Sequence, residues 1–215
     1  SIDRDFKWHV LLCGILFISL LPIVFAVSTS FKDLSEAYSN VIGLIPWAPT
    51  LENYQQVFLR LPLLQIILNT FTIAAVVTDC KLITSILAAY AFVYFEFRGK
   101  NILYFLLVST IFVPFTITMI PNYLTISSLG LRNNLLGVIL PELGDATGIF
   151  LIRQAMRSIP YSLIEAARLE DIGPFRILRQ IVLPLVKPAV VSTGIMFFIN
   201  SWNEYVWPVL ILKSK

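Results

Sequence analysis

The chain has 215 residues, 57% of them apolar and only 13% charged, with a formal net charge of +3. A soluble domain carries about 25% charged residues, so this chain lacks the polar side chains needed to cover a water-facing surface. With two cysteines and one histidine, it also has almost no raw material for metal or nucleophilic chemistry.

The first apolar block covers residues 10–27 and contains no charge. About 20 such residues cross a bilayer as a helix. A secretory signal peptide is the competing reading, but its apolar core is shorter and ends at a small-residue cleavage site. More apolar blocks follow here, which favours an uncleaved helix. Residues 64–95 form a second block, interrupted by Asp79 and Lys81. These two residues point to different sides of a helix, so each needs its own partner, and Lys81 with Glu204 is one pairing to consider. Residues 102–127 form a third block, in which Pro114 and Pro121 each remove a backbone donor and predict kinks. Residues 134–152 form a fourth, weakened by Glu142, Asp145 and internal glycines, and residues 188–212 form a fifth. The runs are too long and continuous for barrel strands, which alternate over about 10 residues. The expected fold is all-α, a polytopic transmembrane helical bundle in one membrane domain, residues 1–215.

Lysine and arginine are retained on the cytoplasmic side. With the N-terminus inside, Arg4, Lys7, Arg98, Lys100, Arg153, Arg157, Arg168, Arg176, Arg179 and Lys187 fall inside. Lys32, Arg60, Arg132, Lys213 and Lys215 fall outside, and Lys81 lies within a span. The bias of ten against five predicts a cytoplasmic N-terminus and accounts for the cations without nucleic acid. Cys13 and Cys80 lie in spans and read as buried structural thiols. His9 sits at the start of the first span and reads as an interfacial residue. No phosphate-binding glycine loop is present, so any ATP must be bound by another chain.

Between the fourth and fifth blocks runs a polar, proline-punctuated stretch, SLIEAARLEDIGPFRILRQIVLPLVKPA. Ser162 and Glu165 have capping-box spacing. Gly173 and Pro174 end the helix that follows, with Gly in a left-handed position. The pattern predicts a short helix over residues 163–172. A second is predicted over residues 174–182, started by Pro174 and apolar on a face of Phe175, Leu178, Ile181 and Val182. Pro184 and Pro188 then break the chain before the fifth span. Neither helix is long enough to cross a bilayer, so both must lie at the interface and pack on something.

These residues resemble the EAA loop of ABC importer permeases: Glu165, Ala166 and Ala167, followed by Ile181-x-Leu183-Pro184. Where the family has a glycine four residues after the second alanine, this chain has Asp171, with Gly173 two residues on. Asp tolerates the left-handed backbone better than most residues, so the turn survives there or shifts to Gly173. Further segments are similar, in order, to carbohydrate-type permeases: IPWAPTLENYQQVF, NTFTIA, AAYAFVYFEFRGKN, VPFTITMIPNYLTISSLGLRNN, FLIRQAMRSIP and SWNEYVWPVLIL. The nearest group is the second permease subunit of sugar and glycerol-3-phosphate importers.

The resemblance implies a type I importer permease that is itself no enzyme and binds no cofactor, with ATP and Mg on a partner. It implies a multi-pass protein of the bacterial inner membrane. The implied partners are a sister permease, two ATP-binding subunits, an extracytoplasmic solute-binding protein and membrane lipid. Family members have six spans and five are visible, so the chain is expected to be C-terminally incomplete. The coupling (EAA) loop is expected over residues 155–188. Glu165, Ala166, Ala167, Leu169, Asp171, Ile172 and Gly173 are the residues expected to engage the ATPase, with Leu169 and Ile172 forming one apolar ridge. Glu165 is either a capping carboxylate or a contact anion, and the two roles are compatible.

Polar residues within spans mark pathways by default. Asn200, Asn203 and Glu204 share a helical face by spacing, and Trp202 and Tyr205 lie beside them. Asn69 and Asn122 are weaker candidates for the same path. Interhelical hydrogen bonding is the competing role for all of them. An aromatic face with amides suits the CH surface and hydroxyls of a sugar, and few cations are available for a phosphate. A secondary carrier or a scaffold subunit remains the alternative to an importer permease.

Overall fold

A computed structural model describes residues 2–212, with side chains from Phe6 onward. The side chain of Arg4, together with Lys213 and Lys215, used above to read orientation, lies outside the described part. The chain falls into two compact units, Ser1–Ile67 and Leu68–Lys215.

In the first unit, α1 (Ile2–Ser30) is an apolar helix with Pro22 inside it. After it comes a polar cap of α2 (Leu34–Ser39) and α3 (Glu52–Arg60). This cap is knitted by two buried charges. Lys32 is 1% exposed and donates to the carbonyls of Asn40 (2.8 Å) and Gly43 (2.6 Å). Glu36 accepts from the backbone N–H of Trp47 at 2.6 Å. A buried charge is tolerable when such hydrogen bonds replace its water. Asp33 caps α2; the Ser35 hydroxyl, with the backbone N–H groups of Leu34 and Ser35, holds its carboxyl below the usual range.

The second unit is built on four long or bent helical passages. α4 (Leu63–Tyr94) brings the chain into it and runs 32 residues. α5 (Lys100–Ser109) and α6 (Phe115–Ser128) follow, joined through a 3-10 turn and bent by 101°. The kink expected at Pro114 is therefore a full break: Val113 and Pro114 are extended, and Pro114 starts α6. Pro121 stays inside its helix. α7 (Leu135–Ile139) and α8 (Ala146–Arg157) form a second bent pair, at 43°. Among the described residues three helices are long and apolar enough to cross a membrane, or five if each bent pair is one span. The bundle is all-α, as expected.

α9 (Tyr161–Leu169) is the first short helix of the proline-rich stretch. The second is not separate. α10 (Pro174–Ile177) runs through a π-helical turn, Leu178–Val182, straight into α11 (Leu183–Asn203), so that Pro174–Asn203 is one 30-residue passage. The expected breaks at Pro184 and Pro188 do not occur. The wide turn, closed by Leu183 N–H to the Leu178 carbonyl, changes the bonding register just before Pro184. Neighbouring structure re-satisfies backbone groups freed by proline in such helices. The fifth passage instead breaks at Glu204–Tyr205, before α12 (Val206–Ile211).

Candidate functional site

The first candidate is α9 and its flanks. The helix begins at Tyr161 with Pro160 as N-cap and no side-chain cap. The expected Ser162–Glu165 capping box is therefore absent: the fixed proline φ (−57°) starts the helix and leaves Ser162 inside the first turn. The helix ends at a left-handed residue, and that residue is Asp171 (φ 57°), not Gly173, which is extended (φ −64°, ψ 154°). Ile172 N–H bonds back to the Ala167 carbonyl and Asp171 N–H to that of Arg168, both at 3.1 Å. This pair of bonds is the Schellman closure.

The turn divides the stretch into two faces. Ile164 (0% exposed) and Ala167 (5%) point inward with Ile177, Leu178 and Val182. They join a cluster with Tyr90 and Tyr94 of α4, Ile152 and Met156 of α8, and Val186 of α11, and Ile172 packs against it. Polar rivets hold the same junction: Tyr90 Oη to the Pro174 carbonyl (2.9 Å), Tyr94 Oη to that of Met156 (3.1 Å), and Arg168 Nη2 to that of Tyr94 (2.9 Å). On the outer face Leu169 is 88% exposed and Phe175 71%. Glu165, Ala166, Asp171 and Gly173 are exposed as well. Thus Leu169 and Ile172 do not form one ridge: Leu169 points out and Ile172 in. Ala167 likewise faces the interior. The single apolar face expected over Phe175, Leu178, Ile181 and Val182 is split: Leu178 and Val182 are buried, while Phe175 lies two residues before buried Ile177, about 200° around a helix, and faces out. Its signal was legible in that spacing.

The second candidate lies among α4, the α7–α8 bend and the α11–α12 break. Lys81 Nζ sits 2.5 Å from Glu142 Oε2 and 3.8 Å from Asp145 Oδ2, and 5.6 Å from the Phe197 ring centroid. The suggested Lys81–Glu204 pair is not formed: two nearer carboxylates occupy the ammonium. Asp145 also caps α8, accepting from Gly148 N–H at 2.9 Å. The clue in the sequence was that Glu142 and Asp145 interrupt one apolar block just as Lys81 interrupts another. Glu204 lies past the end of α11 and accepts from Trp207 N–H at 3.2 Å. It therefore does not continue the Asn200–Asn203 face. Asn200, Ser201, Glu204, Lys81 and Glu142 nonetheless border one cavity of about 70 Å³. That holds a few waters; ligand sites for small molecules run to roughly 300 Å³ and more.

Trp202 and Asn203 border a different, open recess with Phe71, Phe198 and Ile199. Phe198 stacks on Trp202 at 5.8 Å and meets Phe71 edge-on at 6.0 Å, giving an aromatic platform. Asn203 Nδ2 donates to the Ile199 carbonyl (2.7 Å). Tyr205 is 73% exposed and Asn69 is exposed on α4, while Asn122 is half-buried in α6. The structure brings neither of these two asparagines to the cavity or the platform.

Residues 81–215 match the family model described as "Binding-protein-dependent transport system inner membrane component". The chain is 31% identical over 214 residues to the sn-glycerol-3-phosphate transport system permease protein UgpE of Rhizobium meliloti (strain 1021), covering 96% of this chain and 76% of that protein. To the protein of the same name from Escherichia coli O6:K15:H31 it is 32% identical over 215 residues, covering 97% and 76%. Among solved structures it resembles a bacterial ABC transporter involved in the import of the acidic polysaccharide alginate. The TM-score is 0.79 at 27% identity, covering 100% of this chain and 76% of that one.

Proposed function

The chain belongs to the family of binding-protein-dependent transport system inner membrane components, and it is a permease subunit of an ABC importer; we propose that it is driven through α9. ATP hydrolysis belongs to separate subunits, and ATP and Mg reside there. A sister permease completes the pathway, and an extracytoplasmic binding protein delivers the solute. The observation that carries this reading is the two-faced coupling stretch. One face exposes Leu169 and Phe175, large apolar groups that favour burial against a partner. The other is locked to the ends of α4, α8 and α11. A push on the outer face therefore moves three passages at once. Glu165 and Ala166 flank the contact, and the turn at Asp171 and Gly173 sets its angle.

The N-terminus is cytoplasmic. With each bent pair taken as one span, four crossings precede the loop, an even number that returns it to the side of the N-terminus. The arginines around the loop agree with that side.

The solute is of the sugar or glycerol-phosphate type. The aromatic platform of Phe71, Phe198 and Trp202 with Asn203 suits a neutral sugar ring. Lys81, the cation inside the apolar run of α4, already answers two carboxylates and is not free to hold a phosphate. The test is purification from native membranes in mild detergent. A second permease and a nucleotide-hydrolysing subunit should copurify, with ATPase activity raised by the loaded binding protein. Solute transport by this chain alone in vesicles would instead establish a secondary carrier.

A further inference from the structure

Two residues apart on α4, the chain treats two charges in opposite ways. Lys81 is buried and paired. Asp79 is exposed on the bundle surface and forms no hydrogen bond or ion pair with any described residue. It stands 16 residues from one end of the 32-residue helix Leu63–Tyr94, about 24 Å along the axis at 1.5 Å per residue. That is the middle of an apolar passage. Its face is opposite the buried one of Ala74, Val77, Lys81 and Ser85, because residues two apart differ by about 200°.

A carboxylate at that depth does not face acyl chains without a partner, and an aspartate stem is too short to reach the headgroups as lysine or arginine does. The neighbours one turn away on either side, Val76 (39% exposed) and Ile83 (58%), are apolar. They form a dry collar rather than the polar lining of an open water path. The inner charges sharpen the need. Glu142 and Asp145 pair with the ammonium of Lys81, and Glu204 borders the same cavity, so this region already carries more carboxylates than cations.

We propose that the Asp79 face of α4 docks against a second membrane helix that presents a lysine or arginine at mid-depth, the two charges pairing inside the apolar collar. Resting on the permease reading above, this assigns that helix to the sister permease. Sequence-distant pairing of this kind, as Lys81 shows within the chain, fixes register between helices and excludes wrong neighbours.

The experiment uses the full chain coexpressed with its importer partners, comparing wild type with Asp79→Asn, Asp79→Leu, Asp79→Lys and Asp79→Glu. Thermal unfolding of each solubilised chain checks its own fold. The expected result is normal insertion and folding throughout, with recovery of the sister permease reduced about tenfold for Asn and Leu, further for Lys, and retained for Glu. Wild-type recovery of the complex with Asp79→Leu would overturn the proposal. So would rapid reaction of Asp79→Cys, with Cys13 and Cys80 replaced by serine, with a water-soluble maleimide in the assembled complex, since that places the face on water. Failure of the permease reading looks different: no sister permease or ATPase accompanies even the wild type.

Discussion

Leu169 and Ile172 lie three residues apart and face opposite ways, because Asp171 between them takes a left-handed backbone. Leu169 is 88% exposed at the end of α9, while Ile172 packs against the cluster beneath the helix. The reversal at Asp171 (φ 57°) turns an apolar run into a contact surface on one side and an anchor on the other.

The two sides should therefore fail differently. Leu169→Asp removes an exposed group and should leave thermal unfolding unchanged while lowering transport-coupled ATP hydrolysis about thirtyfold, the scale of a ~2 kcal/mol interface hot spot. Ala167→Leu overfills a position that is 5% exposed and should lower stability by about 1–3 kcal/mol as well as activity. Unfolding curves and ATPase assays in reconstituted vesicles separate the two. Equal stability loss in both variants would remove the distinction between outer and inner face.

Asp171 occupies a conformation that glycine adopts freely. Asp171→Gly should be neutral or stabilising by up to ~1 kcal/mol and keep coupling intact. Asp171→Val should lose about 1–2 kcal/mol from the left-handed penalty and loosen the loop, read as faster proteolysis between residues 160 and 175. A valine variant that resists protease like wild type would show that the turn does not hold the loop.

Lys81 holds two carboxylates together at the bend of α7–α8. Lys81→Met should destabilise the chain by about 3 kcal/mol, the low end for a broken buried pair, since the Glu142 side chain is 32% exposed. Adding Glu142→Gln to that variant should restore part of the loss. A double-mutant cycle on thermal unfolding measures it, and simple additivity would mean that the pair carries no coupling.

Gly148 sits where α8 meets α4 and α11. A Cβ there would overlap the Phe197 ring and lie 2.7 Å from Ser85 Oγ, and Phe197 is 2% exposed, with no room to retreat. Gly148→Ala should cost about 1–3 kcal/mol through overpacking, despite alanine being the better helix former. An increase in thermal stability would show that the junction is looser than its geometry.

The apolar blocks were legible because a helix in lipid satisfies its own backbone and leaves a long uncharged run as its trace. The EAA stretch was legible for the opposite reason, as a polar interruption with its own start and stop residues. Its turn could not be assigned from residue type alone, since both Asp171 and Gly173 tolerate the conformation that one of them adopts. Pro184 and Pro188 read as breaks because proline lacks a donor, yet a π turn at Leu178–Val182 carries the helix past them, and no residue pattern announces a π turn. The partner of Lys81 lay 61 residues away. Periodicity resolves which face a residue occupies but not which distant helix covers it. The aromatic platform, shared by Phe71 and Phe198, was hidden for the same reason.

Leu169→Cys, with Cys13 and Cys80 replaced by serine, tests the central claim most directly. In sealed, right-side-out vesicles the thiol should resist an impermeant maleimide added outside. In the assembled complex it should crosslink to a nucleotide-hydrolysing subunit, more or less strongly as ATP is added. Labelling from the outside, or crosslinks that reach only lipid and other permease helices, would contradict it.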